Sequence, residues 1–124
     1  MARFLIVGLG SNASVLADTL EREGHVVNAV AHADRGALEH VAIVCWLEDS
    51  SPERFLLRAV DSSMRGFVYQ AGGYERSVSE TATRNSIPVA ILTADPYDLD
   101  AWLTQAQKAF NSLLEGRVPG RGGG

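Results

Sequence analysis

The apolar run Phe4-Leu5-Ile6-Val7 stops at Gly8-Leu9-Gly10, and apolar positions then recur at Ala13, Leu16, Ala17 and Leu20. The run has the branched character of a strand buried on both faces. The later spacing is that of one helix face. Gly24 follows as the stop for that helix. Few folds accommodate a short buried strand that turns on glycine directly into an amphipathic helix. The reading is strand, glycine turn, helix.

Gly8-x-Gly10-x-x-Ala13 at the junction has the spacing of a dinucleotide-binding turn, in the variant with Ala at the third position. Gly8 permits the tight exit from the strand. Gly10 has no side chain, so a pyrophosphate can approach the backbone. Ala13 lets helix and strand pack closely. The N–H groups at the helix start face the anion and the helix dipole favours negative charge there. Ser11 and Asn12 add side-chain donors. The bland alternative is a glycine-rich turn in an α/β protein with no ligand.

The rest of the chain repeats the alternation. His25–Ala31 reads as a second strand, whose tip decides cofactor type in a nicotinamide-binding fold. His32 and Arg35 suit a phosphate there and Asp34 suits a ribose, so NAD and NADP both stay open. Equally, Asp34 suits the cap of a helical turn and His32 a solvated loop. Val41–Leu47 is the most apolar stretch and reads as a central strand. Residues 31–40 form a short link to it, where a parallel crossover normally takes a dozen residues or more.

Ser51-Pro52-Glu53 starts a helix carrying Phe55, Leu56, Ala59 and Val60, with Leu57 off that face and free to meet a partner subunit. Gly66–Gln70 is a fourth strand, ending at Ala71 and Gly72. Ser77-x-x-Glu80 has capping-box spacing and predicts a helix through Arg84. Pro88–Ala94 is a fifth strand, and Asp98 caps a final helix over Ala101, Trp102, Ala106, Ala109, Phe110, Leu113 and Leu114.

Strand–helix alternation predicts an α/β, three-layer Rossmann-like fold: a five-stranded parallel sheet in order 2-1-3-4-5 with helices on both faces. The ligand crevice then lies at the strands' C-terminal edge, near Gly8, Gly10, Trp46, Leu47, Ala71 and Gly72. The organisation expected is one domain over residues 1–115 and a disordered tail over 116–124, rich in glycine and without packing residues.

Composition narrows the function classes. A net charge of −4 and no basic stripe argue against nucleic acid. No apolar run approaches the ~20 residues that span a bilayer, and the N-terminus does not read as a signal peptide, so the cytoplasm is expected. The single cysteine, Cys45, reads as a buried core thiol. No metal site is expected from three dispersed histidines or from Glu48-Asp49. A homodimer through the outer helices is the partner arrangement considered.

VGLGSNASVLADTLEREGHVV and RGFVYQAGGYERSVSETATRNSIPVAIL resemble the extended and atypical short-chain dehydrogenase/reductase superfamily, which includes NAD-dependent epimerases and dehydratases. The resemblance implies an NAD(P) cofactor and a catalytic tyrosine at Tyr74. The family's lysine four residues on is replaced by Val78, and the chain has a single lysine, Lys108. In the family the lysine at that position lowers the tyrosine pKa, and a lone Tyr, with a pKa of about 10, is a poor base near neutrality. Three readings follow: a cofactor-binding or degenerate protein, an active oxidoreductase or epimerase using Tyr74, or a structural or regulatory module with no ligand.

Overall fold

A computed structural model describes residues 2–31, 40–59, 62 and 64–116. The elements run β1 (Arg3–Val7), α1 (Ser11–Arg22), β2 (Val26–Val30), β3 (Ile43–Trp46), α2 (Glu53–Ala59), β4 (Gly66–Gln70), α3 (Glu75–Arg84), β5 (Val89–Leu92) and α4 (Leu99–Leu114). All pairings are parallel and the sheet order is 2-1-3-4-5, as the alternation predicts. Leu5 lies in register with Asn28 on one side and Val44 on the other, which fixes β1 in the sheet interior. His32, Asp34, Arg35 and the short link lie outside the described residues.

Side chains alternate across the sheet and sort into two apolar layers. Phe4, Ile6, Ile43, Cys45, Val68 and Leu92 face α1 and α4, where they meet Leu16, Leu20, Trp102, Ala106, Phe110 and Leu113. Leu5, Val7, Val44, Trp46, Phe67 and Tyr69 face α2 and α3, where they meet Phe55, Leu56 and Val78. Burying each large side chain contributes on the order of 1.5–3 kcal/mol. The Phe4 and Phe110 rings pack edge to face at 5.1 Å, joining β1 to the final helix. Cys45 is fully buried, and its apolar surroundings push the thiol pKa up.

Helix ends follow the sequence with one exception. His25 N–H donates to Leu20 O at 3.1 Å, closing α1 at Gly24. Asp98 Oδ1 accepts from Ala101 N–H at 3.4 Å and caps α4. Ser51 Oγ accepts from Glu53 N–H at 3.4 Å ahead of α2. The exception is α3, which starts at Glu75, two residues before the predicted capping box. Glu80 does not reach back to Ser77; it accepts from Arg76 Nε at 3.1 Å on the exposed face. Leu57 is exposed on α2, as its position off the apolar stripe implies.

Candidate functional site

The five parallel strands end on one edge, where the connections to the helices lie. At the first of these, Gly8 leaves β1 with φ +122°, and its N–H donates to Val30 O at 2.8 Å. A Cβ on Gly8 would stand 3.0 Å from the Glu48 amide nitrogen and the Leu47 carbonyl carbon. The neighbouring backbone after β3 therefore closes over Gly8, and only glycine fits. Gly10 differs. Its φ is +137°, yet a Cβ there would meet nothing within 4 Å. The space over Gly10 is open.

Gly10 is the N-cap of α1, and this helix has neither a side-chain cap nor an acid in its first turn. By contrast α2, α3 and α4 carry Glu53, Glu75 and Asp100 in their first turns. The positive end of the α1 dipole is left without a carboxylate from its own first turn. Beside it lies a cleft of about 290 Å³, lined by Leu9, Gly10, Ser11, Asn12, Ala13, Leu47, Gln70, Pro96, Tyr97 and Trp102. That is at the small end of the ~300–1,000 Å³ usual for ligand sites.

Three interactions shape the cleft. Asn12 Nδ2 donates to Pro96 O at 2.9 Å, which ties the start of α1 to the β5–α4 connection. Trp102 Nε1 donates to Gln70 Oε1, so the indole that forms part of the lining has its polar atom satisfied. Gln105 Oε1 accepts from Thr93 and Ala94 N–H at 2.9 and 2.8 Å and holds the end of β5 against α4. Asp95 and Asp98 turn their carboxylates to local backbone: Asp95 Oδ1 accepts from Tyr97 N–H at 2.9 Å, and Asp98 caps α4.

The structure brings Gly10, Ser11, Asn12, Ala13 and Leu47 together around this cleft. Gly8 does not line it; its lack of a side chain lets the backbone after β3 pack against the turn. Trp46 is turned to the other face of the sheet, packed against Phe55 at 5.3 Å, and its Nε1 donates to Ser50 O at 3.0 Å. The alternation of β3 enforces this, because the cleft is on the side of Cys45. Ala71 and Gly72 follow β4 on the same edge, but neither lines the cleft. Tyr74 opens α3 away from the lining, and its N–H donates to the Tyr69 phenol at 3.1 Å. Val78, where the resembled family has lysine, is fully buried on the sheet-facing side of α3.

Gln70, Pro96, Tyr97 and Trp102 line the cleft and were missed in the sequence. They come from two regions distant from the glycine turn in sequence, the end of β4 and the β5–α4 connection with the first turns of α4. A usable signal existed: Gln70 ends a strand, and Pro96-Tyr97 follows one, so both fall at C-terminal strand ends, where open α/β sheets bind ligands. Among the described residues, no group of metal-ligating side chains comes together and no helix is long and apolar enough to cross a membrane.

No protein-family model matches the sequence, and no curated protein is significantly similar to it. Two solved structures share its fold. One is an uncharacterized protein, 17% identical with a TM-score of 0.57, over 73% of this chain and 88% of that one. The other is a D-lactate dehydrogenase from Treponema pallidum, 10% identical with a TM-score of 0.61, over 96% of this chain and 41% of the dehydrogenase. At such identities the likeness is one of fold. The chain is a Rossmann-like parallel α/β domain, similar in architecture to part of a dehydrogenase.

Proposed function

We propose that this protein binds NAD or NADP through the start of α1 and lacks the full catalytic apparatus of the short-chain dehydrogenases it resembles. One observation carries the reading: Gly10 leaves open space above the N-terminus of a helix with no side-chain cap, beside a cleft. A phosphate meets backbone amides and a favourable dipole there, without displacing a carboxylate from the helix's first turn. Ser11 and Asn12 flank the approach, and Ala13 keeps α1 close to β1.

The residues fit the phosphate-bearing part of such a cofactor. A cleft of about 290 Å³ holds a phosphate and one ring, and the other half of a dinucleotide lies outside it. The observed sheet order has its switch point between β1 and β3, where doubly wound folds of this order hold their ligand. Bound nicotinamide supplies hydride transfer, which is the cofactor's own chemistry. The chain's part is binding and orientation. Tyr74 stands outside the cleft lining, and the buried Val78 supplies no cation to activate it.

Calorimetric titration with NAD, NADH, NADP and NADPH tests the reading. Saturable heat with at least one of the four is expected. Absence of heat with all four, at concentrations near millimolar, removes it.

A further inference from the structure

The sheet ends at β5, which among the described residues pairs with β4 alone. Pro88 O accepts from Phe67 N–H at 2.9 Å and Leu92 O accepts from Ala71 N–H at 3.0 Å, so this set of alternate residues turns its backbone groups toward β4. Alternation turns the N–H and C=O of Val89 and Ile91 the other way, to the free edge. No hydrogen bond among the described residues engages them. The next outward position on either side is already used. Ile87 N–H donates to Ala82 O at 2.8 Å, and Thr93 N–H donates to Gln105 Oε1 at 2.9 Å. The open edge is therefore short, formed by Val89 and Ile91 and closed at both ends.

Natural sheets blunt such an edge with a charge, a proline or a bulge. Here Ile87 to Ala94 carries no charged residue. Pro88 lies on the paired side of the strand, and the register against β4 runs unbroken from Val89 to Leu92. A groove of about 500 Å³ follows the strand, between Ser79 and Thr83 of α3 and Lys108, Ala109 and Ser112 of α4. Its helical walls are mainly small side chains, which leave a second chain room to approach. Lys108 is the one charged residue of the lining and is exposed, so its ammonium reaches water. Val89 and Ile91 are half-buried and add apolar surface along the edge.

We infer that two copies of the chain pair through this edge, with β5 antiparallel to β5 of a second copy and a two-fold axis at Ala90. The two five-stranded sheets then become one. Val89 stands opposite the second copy's Ile91, and Ile91 opposite its Val89. Residues facing in this way exchange both their bonds, so every open group on both edges is used. Ala90 falls in the non-hydrogen-bonded pair on the axis, where Cα atoms come within ~4.5 Å and a small side chain is accommodated. A longer extended peptide suits the edge less well. Beyond Val89 and Ile91 it meets N–H groups that Ala82 and Gln105 already engage. An edge this short is matched by another of the same length, and the chain itself supplies one. The contact is isologous, so it closes at two copies. It lies apart from the cleft at α1 and holds whether or not that cleft takes a ligand.

Sedimentation velocity on the whole chain, over micromolar to millimolar concentrations, tests the pairing with wild type, Val89→Pro, Thr83→Arg and Leu57→Ser. A dimer is expected for wild type. Val89→Pro removes an outward N–H from each copy and no bond to β4, so the dissociation constant should rise about tenfold or more. Thr83→Arg places a long cation on the exposed groove wall and should also raise it, with circular dichroism unchanged. Leu57→Ser, on α2 and outside the groove, should leave it as it is. Amide exchange followed by NMR needs no variant: protection of the Val89 and Ile91 N–H groups should grow with protein concentration. Wild type that stays monomeric throughout overturns the inference. A dimer that Leu57→Ser dissociates, while Val89→Pro and Thr83→Arg leave it intact, assigns the contact to the outer helices and overturns it too. Protection of both amides in a monomer, independent of concentration, assigns the edge to another segment of the same chain, with the same consequence.

Discussion

Two strand-to-helix junctions share the C-terminal edge of the sheet and draw on similar residues. Gly8-Leu9-Gly10 joins β1 to α1, and Ala71-Gly72-Gly73-Tyr74 joins β4 to α3. The second satisfies its own amides. Gly73 N–H donates to Glu75 Oε1 at 2.9 Å, and Tyr74 N–H donates to the buried Tyr69 phenol at 3.1 Å. The first has no carboxylate in its helix's first turn and opens on a cleft. Glycine content alone therefore does not tell which junction is closed by its own side chains. What separates the junctions is whether a nearby side chain already occupies the donors.

The largest effect should come from making the first junction resemble the second. Ser11→Asp places a carboxylate in the first turn of α1, as Glu75 stands in α3, where like-charge juxtaposition with a bound phosphate costs several kcal/mol. Nucleotide affinity measured by calorimetry should fall about 100-fold or more. Unchanged affinity would break the comparison.

Next in size is Gly8→Ala. The new Cβ meets backbone at 3.0 Å in a left-handed conformation, so neighbouring chain must shift. Urea denaturation should show a loss of about 2–4 kcal/mol. A loss below about 0.5 kcal/mol would mean that the turn adapts more readily than its geometry implies.

The smallest effect concerns Glu75. Its carboxyl lies below the usual glutamate range, chiefly because Gly73 N–H donates to it. The native state therefore favours the ionised form. The associated stability is present above the unfolded-state pKa and is lost as pH falls through the lowered native value. Glu75→Gln should flatten the stability profile on its acid side, below about pH 5. It should leave nucleotide affinity unchanged. A fall in affinity on this substitution would tie the two junctions together.

Tyr69 sharpens the same contrast without a variant. Burial raises its phenol pKa above the ordinary range, so it stays a neutral partner for the Tyr74 amide over the pH range of that experiment.

The fold was legible because its signals are local and mutually consistent. Apolar runs of strand length alternate with helix-period stretches, and Asp98 and Gly24 mark helix ends that form as read. The start of α3 was not legible. Ser77 and Glu80 have the right spacing, but Glu75 and Tyr69 reach the junction amides first, and the Tyr69 contact depends on β4 packing beneath it.

The site was half legible. Gly8, Gly10 and Ala13 form one sequence motif, so their meeting is built into the chain. Gln70, Tyr97 and Trp102 meet them only through the strand order. Trp46 shows the remaining gap. Its face relative to Cys45 follows from strand alternation, but which face carries the cleft depends on α1 and α4 lying on the Cys45 side.

The bond from Asn12 to Pro96 spans 84 positions in sequence. It requires the last strand and helix to dock before the first turn of α1 acquires its opposite wall. This corner is complete only when β5 and the final helix are in place. A molecule caught with its C-terminal unit detached would keep the glycine turn yet have no enclosure around it, so a ligand bound only by the enclosed corner would stabilise the docked C-terminal unit by mass action.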